Sequence, residues 1–456
     1  MKKRQLFGTD GIRGTANVHP MTSEVMLEVG RALAYVFRLG PAGDGRRRVL
    51  IAKDTRRSGY MLEDALAAGL CSMGVDVLQV GPIPTPGLAF LTADMRADGG
   101  AMISASHNPY HDNGVKFFSS DGFKLPDEIE ARIEELMYSE ELDRWRPTGM
   151  DIGRAQRIDD ATGRYIVFLK KTFPRDLSLD GLRIAVDCAH GAAYKVAPTV
   201  LEELGAEVIR VGADPNGENI NDGVGALHPD NLAAVVKQYR ADLGVALDGD
   251  ADRVILIDEN GGIVDGDQTL GLCALALHEE GRLRNNKLVG TLMTNVGLEL
   301  ELAKRGIELI RTDVGDRYVV EAMRAEGLPL GGESSGHVVC LDFNTTGDGL
   351  LTALQVLGYR QRRKQPLSTL LQVFEPCPQK TRSIRVTEKP PLETLGDVAT
   401  RIERAEADLE GSGRVLVRYS GTEPVARVMV ECQDAARIDP MIQEICKEID
   451  RAIGER

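Results

Sequence analysis

Val49-Leu50-Ile51-Ala52, a helical stretch, and then Gly74-Val75-Asp76-Val77-Leu78 form the passage on which the fold turns. Two apolar, β-branched runs flank a segment in which Leu62, Ala65, Leu66, Gly69, Leu70 and Met73 recur on one helical face. Gly74 stands where a helix is stopped. The reading is strand, helix, glycine stop, strand. The same arrangement returns at Ile184-Ala185-Val186 with Gly205-Ala206-Glu207-Val208-Ile209. It returns again at Leu288-Val289-Gly290-Thr291-Leu292 with Gly306-Ile307-Glu308-Leu309-Ile310. Apolar strands alternating with helices predict sheets covered on both faces. Three similar α/β domains in tandem, with mixed or parallel sheets, are therefore expected.

The C-terminal stretch breaks this pattern. A short strand at Ile384-Arg385-Val386 precedes a helix with Leu395, Val398, Ala399, Ile402, Ala405 and Leu409 on its apolar face. Strands at 414–417 and 428–432 follow, and then a helix carrying Ile438, Met441, Ile442, Ile445 and Ile449. This predicts a smaller α+β domain with its helices on one face of the sheet. Arg146-Pro147-Thr148-Gly149 and Glu375-Pro376-Cys377-Pro378 read as linkers. The expected domains are 1–155, 156–256, 257–373 and 374–456, set around a central cleft.

Composition narrows the function. The 456 residues are 43% hydrophobic and 27% charged, ordinary for a globular protein able to build several cores. A formal net charge of -14 speaks against a nucleic-acid or anionic-membrane binder, though not against small anionic substrates. No run approaches the roughly 18 apolar residues of a membrane span, and no apolar core follows the basic start Met1-Lys2-Lys3-Arg4 as in a signal peptide. The seven cysteines lack CxxC spacing and read as free thiols, so a cytoplasmic location is expected.

Asp248-Gly249-Asp250-Ala251-Asp252-Arg253 follows the apolar run Leu243-Gly244-Val245-Ala246-Leu247. Three carboxylates thus stand at the C-terminal end of a strand, where open α/β sheets bind ligands. At about 4 Å, each bare pair would repel by about 4 kcal/mol at an effective dielectric near 20. A divalent oxygen-seeking cation relieves this, and Mg²⁺ is the usual one beside phosphate. A calcium EF-hand loop is excluded, because Arg253 occupies the position that needs glycine and the flanks are strand-like.

Four further loops carry chemistry. Ile103-Ser104-Ala105-Ser106-His107-Asn108-Pro109, followed by Asp112-Asn113-Gly114-Val115-Lys116, offers a nucleophilic serine with His107 or Lys116 beside it. The residues alone leave Ser104 and Ser106 equal. Arg418-Tyr419-Ser420-Gly421-Thr422-Glu423-Pro424, with Arg427, has the hydroxyls, guanidiniums and glycine of a phosphate cradle. Gly331-Gly332-Glu333-Ser334-Ser335-Gly336-His337 can read sugar hydroxyls. Phe7-Gly8-Thr9-Asp10-Gly11-Ile12-Arg13-Gly14 brings glycine backbone and an arginine together but lacks the GK[ST] of a Walker loop.

In their order along the chain, these five segments resemble the α-D-phosphohexomutase family, and the resemblance runs over essentially its whole length. It implies four domains around one cleft. It also implies that Ser106 is the phosphoserine, and that Asp248, Asp250 and Asp252 hold Mg²⁺ with the seryl phosphoryl group. Glu333, Ser335 and His337 would read the sugar. Arg418, Ser420, Gly421, Thr422 and Arg427 would hold the phosphate that is not transferred. Arg13, Lys116 and Arg253 would stand near the transferred phosphoryl group, with His107 or Lys116 moving a proton. Pro215-Asn216-Gly217-Glu218-Asn219-Ile220-Asn221 and Thr345-Thr346-Gly347-Asp348-Gly349 are most similar to members that act on glucosamine phosphates. The resemblance thus implies interconversion of glucosamine 6-phosphate and glucosamine 1-phosphate through a sugar bisphosphate, by a homodimer. A phosphomannomutase or phosphoglucomutase of the same chemistry is the alternative, and a non-catalytic phosphosugar-binding protein a remoter one.

Overall fold

The computed structural model describes residues 6–8, 10–39, 46–409, 411–420 and 423–455. The three expected repeats form as read. Strand Arg48–Lys53, helix Gly59–Ser72 and strand Asp76–Pro82 make the first, with the two strands parallel neighbours. Arg183–Asp187, Val196–Glu203 and Glu207–Val211 make the second, again parallel. Lys287–Thr291, Val296–Ala303 and Glu308–Thr312 make the third. Gly74, Gly205 and Gly306 all take positive φ after the helix, where a Cβ would be strained.

Around these repeats grow three mixed sheets. The first has six strands, in the order Ile12–Thr15, Asp112–Ser119, Gly99–Ile103, Arg48–Lys53, Asp76–Pro82 and Ala155–Arg157. The second has five, in the order Ile263–Val264, Val254–Ile257, Leu243–Leu247, Arg183–Asp187 and Glu207–Val211. In chain order the first sheet ends with Ala155–Arg157, which spans the expected boundary at 155, and the second with Ile263–Val264, which lies past 256. The third sheet has four strands, with Leu330–Gly332 parallel to Lys287–Thr291 and antiparallel to Val338–Cys340. Central strands are buried along their length, as parallel strands between helix layers must be.

One topological feature places the chemistry. In each sheet a buried strand leaves its end, makes a loop, and returns as an antiparallel neighbour. Gly99–Ile103 returns as Asp112–Ser119, Leu243–Leu247 as Val254–Ile257, and Leu330–Gly332 as Val338–Cys340. The three loops so made carry Ser106, the three aspartates, and Glu333 with His337. The repeat therefore puts one chemical loop at the same point of each sheet.

The chain divides into two compact units. One comprises 1–292 and 310–370, and holds the three sheets except the first two residues of strand Glu308–Thr312. The other comprises 293–309 and 371–456. In the second unit, Val425–Cys432 is the middle strand of an antiparallel sheet with Gln379–Arg385 and Gly413–Tyr419. Ala426, Val428, Val430 and Cys432 pack with Val398, Ala405 and Leu409 of helix Gly396–Leu409 and Ile442, Ile445 and Ile449 of helix Ile438–Ile453. The period-2 strand pattern meets the 3.6-residue helix pattern, as the sequence predicts.

All seven cysteines are free thiols; six are buried and Cys71 is half-buried. Among the described residues no helix is long and apolar enough to cross a membrane.

Candidate active site

Ser106 sits just past the end of strand Gly99–Ile103 and is buried, 1% exposed. Its backbone is in the left-handed region at φ 50°, a conformation a serine adopts only when its surroundings impose it. Its hydroxyl donates to Asp248 Oδ2 at 2.6 Å. Ser104 is equally buried but points elsewhere. Its Oγ donates to Asp54 Oδ2 at 2.7 Å and accepts the Ser106 N–H at 2.9 Å. The two serines that the local sequence left equal are thus distinguished by geometry. Ser106 faces the acidic loop, and Ser104 braces the turn.

Asp248, Asp250 and Asp252 bring ligand atoms within 4.8 Å of one another, all buried. Asp248 Oδ1 accepts the Arg253 N–H at 3.2 Å. Lys116 Nζ lies 3.3 Å from Asp250 Oδ2 and 3.4 Å from Asp252 Oδ2. The other oxygens, Asp250 Oδ1 and Asp252 Oδ1, are buried and receive no hydrogen bond. Bare carboxylate oxygens in a buried three-aspartate cluster fit a divalent cation. Burial, and then Asp252 and Asp250, push the Asp248 carboxyl far above the ordinary range. Burial is the largest influence on the Asp252 carboxyl and works against its charge, but Lys116, His337 and Arg253 together outweigh it and hold that carboxyl well below the ordinary range.

Lys116 comes from strand Asp112–Ser119, which returns beside the serine loop. Burial alone would favour neutral Lys116. Asp10 at 3.1 Å, Asp250 and Asp252 reverse this and raise its pKa well above normal, so it remains an ammonium ion. His107 Nδ1 lies 3.4 Å from Ser106 Oγ and 3.1 Å from Arg253 Nη1. A guanidinium only donates, so Nδ1 accepts and the ring proton sits on Nε2. Burial, Arg253 and Arg13 all depress the His107 pKa and keep the ring neutral.

Arg13, Ser106, Asp252, Arg253, Glu333 and His337 line one cavity of about 570 Å³, within the range of small-molecule sites. Glu333 accepts from Gly315 N at 2.8 Å and from Ser335 Oγ at 3.3 Å. His337 is placed differently from the other two residues expected to read the sugar. It is 3% exposed, its Nε2 accepts the Gly347 N–H at 3.2 Å, and its Nδ1 faces Asp252 Oδ1 at 3.7 Å. Both ring nitrogens are thus turned to protein groups, one of them a cluster carboxylate.

In the second unit, Arg418 and Arg427 are directly opposed across the antiparallel pair. Opposed side chains share a face, so two cations stand together there, an arrangement an anion relieves. Ser420 Oγ accepts the Glu423 N–H at 3.2 Å, and Arg427 pairs with Glu423 at 3.0 Å. Gly421 and Thr422 lie outside the described residues.

Several groups escaped the sequence reading. Thr85 donates its hydroxyl to Asp250 Oδ2 at 2.6 Å, and its N–H bonds to the Asp250 carbonyl at 3.0 Å. Lys124 bridges Asp10 and Asp316, and extends the buried charge network. Lys389 Nζ donates to the Ser420 carbonyl at 2.6 Å, adding a cation to the basic loop. A lone threonine or lysine far along the chain carries no local signal. Only Asp10, inside a glycine-rich segment beside Arg13, had one.

Comparison with known proteins identifies the family. The phosphoglucomutase/phosphomannomutase family models match in sequence: alpha/beta/alpha domain I over residues 4–144, domain II over 164–262, domain III over 265–377 and the C-terminal domain over 383–448. A phosphoglucosamine mutase of Geotalea uraniireducens is 58% identical over 451 residues, 99% of each chain. One of Syntrophotalea carbinolica is 55% identical over 454 residues, covering 100% of this chain and 99% of that one. Among solved structures, a phosphoglucomutase/phosphomannomutase family protein of Burkholderia thailandensis superposes with a TM-score of 0.79 at 26% identity, over 98% of this chain and 97% of that one. The N-acetylphosphoglucosamine mutase of Aspergillus fumigatus shares the fold with a TM-score of 0.63 at 18% identity, over 99% and 96% of the two chains. With all four domain models in order and full-length relatives above half identity, the chain belongs to the phosphoglucomutase/phosphomannomutase family of α-D-phosphohexomutases.

Proposed function

We propose that this chain interconverts glucosamine 6-phosphate and glucosamine 1-phosphate, using a phosphoryl group carried on Ser106. The observation that carries the reading is the Ser106 hydroxyl, held 2.6 Å from Asp248 inside a cavity walled by arginines. The amino-sugar substrate rests on the full-length relatives, which bear the name phosphoglucosamine mutase at 54–58% identity.

The chemistry asked of the chain is positioning and charge neutralisation, as phosphoryl transfer requires. The sugar 1-hydroxyl attacks the phosphorus on Ser106. The new P–O bond forms as the bond to Oγ breaks, the proton of the 1-hydroxyl ends on Oγ, and a sugar bisphosphate results. After the bisphosphate turns over, the 6-phosphoryl group returns to Ser106 by the reverse step. Asp248, Asp250 and Asp252 would hold Mg²⁺ together with a seryl phosphate oxygen, and the ion when bound draws charge from the phosphoryl group. Arg13 and Arg253 meet the transferred group. Lys116, fixed as a cation, balances the aspartates and is unsuited to taking a proton. His107, neutral with an accepting Nδ1, is the residue able to do so. Glu333 and Ser335 read sugar hydroxyls, while His337 orients Asp252. Arg418, Ser420, Gly421, Thr422 and Arg427 hold the opposite phosphate. The enzyme is taken to be a cytoplasmic homodimer, its four domains bounded near 155, 256 and 373.

Parallel assays with glucosamine, glucose and mannose 6-phosphates test the reading. A dominant rate on glucosamine 6-phosphate, with almost no free phosphate released, is expected. A dominant rate on glucose or mannose would overturn the substrate. Stoichiometric phosphate release would make the protein a hydrolase.

A further inference from the structure

We infer that Arg56, together with Asn221, is a positioning pair that locks Ser106 in its left-handed conformation against the aspartate loop. This rests on the reading of Ser106 as the phosphoryl carrier. Arg56 is fully buried, yet it reaches no carboxylate of the reacting cluster. Its Nε donates to Asp54 Oδ2 at 2.8 Å. Its Nη2 donates to the Ser106 carbonyl at 3.0 Å and the Asn108 carbonyl at 2.7 Å. Its Nη1 donates to the carbonyls of Asp112, at 3.1 Å, and Pro109. A guanidinium has five N–H donors in a fixed fork, and these five acceptors use them all.

Asp54 closes the ring. It balances the Arg56 charge and accepts Ser104 Oγ, which in turn holds the Ser106 N–H. Both backbone polar groups of Ser106 are therefore tied to one buried, net-neutral ion pair. The clamp adds no charge beside the reacting phosphoryl group and has no free donor to offer it. That separates its role from those of Arg13, Arg253 and Lys116.

Asn221 holds the same two oxygens from the other side. Its Nδ2 donates to the Ser106 carbonyl at 2.9 Å and the Asn108 carbonyl at 3.0 Å. It comes from the region of the second sheet, which also supplies Asp248. It takes φ 60°, a conformation asparagine tolerates. Between the two loops, a Cβ on Gly249 would lie 2.5 Å from the Ser106 carbonyl and 2.8 Å from Asn221 Nδ2. The loops therefore touch, and the Ser106–Asp248 spacing is set by this contact together with the double grip on the carbonyl.

The test uses the full-length protein and three variants: Arg56→Lys, which keeps the charge and loses the fork; Asn221→Gly, which keeps the backbone conformation and loses the donor; and Asn219→Ala, a control. Asn219 lies on the same segment, and its side chain bonds only to Asp214 and Asn216, with its carbonyl accepting the Asp222 N–H. The readouts are kcat, KM, Tm and the single-turnover rate at which phosphorylated Ser106 loses its group to glucosamine 6-phosphate. Asn221→Gly is expected to lower kcat and the single-turnover rate together by about 10- to 100-fold, with KM changed less than about threefold and Tm nearly kept. Arg56→Lys should act in the same direction and more strongly, while Asn219→Ala leaves both rates within about twofold. Folded Arg56→Lys or Asn221→Gly protein that transfers at the wild-type rate, or slows no more than the Asn219→Ala control, would overturn the clamp. Wild-type enzyme carrying no phosphoryl group on Ser106 would overturn the underlying reading, and this inference with it.

Discussion

At the residue scale, the account turns on a few atoms that face one another. Ser106→Ala removes the hydroxyl that donates to Asp248 and that the proposed function makes the phosphoryl carrier. Mutase turnover should fall by at least about 1,000-fold while Tm stays close to wild type, because one buried hydroxyl is lost from an otherwise intact turn. Ser104→Ala should behave differently. It leaves the Ser106 N–H and Asp54 Oδ2 short of a partner, so it should lower stability by about 1–3 kcal/mol and activity only partly. Urea unfolding beside kcat separates the two. Asp250→Asn removes the charge of a carboxylate whose Oδ1 receives no hydrogen bond. Calorimetric titration should show Mg²⁺ binding weakened by at least about tenfold, and unchanged affinity would place the metal elsewhere.

The element scale is where helices and strands hand side chains to one another. Helix Gly349–Arg363 begins at Asp348, whose Oδ1 accepts the Leu351 N–H at 3.0 Å in an N-cap. Its Oδ2 accepts Tyr165 Oη at 2.7 Å and Asn344 Nδ2 at 3.2 Å. Burial raises the Asp348 pKa to about 6 against these bonds. The unfolded carboxyl titrates near 4, so the folded state binds more protons between about pH 4 and 6. This group's contribution to stability is therefore present at low pH and declines as pH rises through 6, by about 3 kcal/mol at most. Asp348→Asn keeps an accepting oxygen and cannot ionise. Its stability relative to wild type should improve from pH 4 to pH 7, as read from urea midpoints. A pH-independent difference would contradict this.

The strand–helix–strand repeats were legible because their information is local. Apolar runs, a 3.6-residue stripe and a glycine stop lie within about thirty residues of each other. The aspartate loop was legible for the same reason. Thr85, Lys124, Asp54 and Arg56 were not. Thr85 meets Asp250 across 165 residues of chain, Lys124 meets Asp316 across 192, and Arg56 meets Ser106 across 50. Such pairings are created only when sheets have formed. Local residues also left Ser104 and Ser106 equal. Family resemblance chose Ser106, and the structure separates the two by environment: the Ser106 hydroxyl faces Asp248 and the Ser104 hydroxyl faces Asp54.

For the molecule as a whole, three copies of one sheet-and-return plan present the Ser106 loop, the three-aspartate loop and the loop of Glu333 and His337. The buried aspartates repel one another unless a cation joins them. Metal binding should therefore stabilise the fold by mass action, by about 2.7 kcal/mol at a hundred times the dissociation constant. Tm should rise with added MgCl₂ and fall back with EDTA. A protein carrying Asp248→Asn, Asp250→Asn and Asp252→Asn together should not respond. An equal rise in that triple variant would mean a non-specific salt effect.

The most direct measurement is the mass of the intact protein and of its peptides before and after exposure to glucosamine 1,6-bisphosphate with Mg²⁺. The account predicts a single added phosphoryl group, located on Ser106 and lost when glucosamine 6-phosphate is supplied. A phosphoryl group found on Ser104 or any other side chain, or turnover that persists in Ser106→Ala, would contradict it.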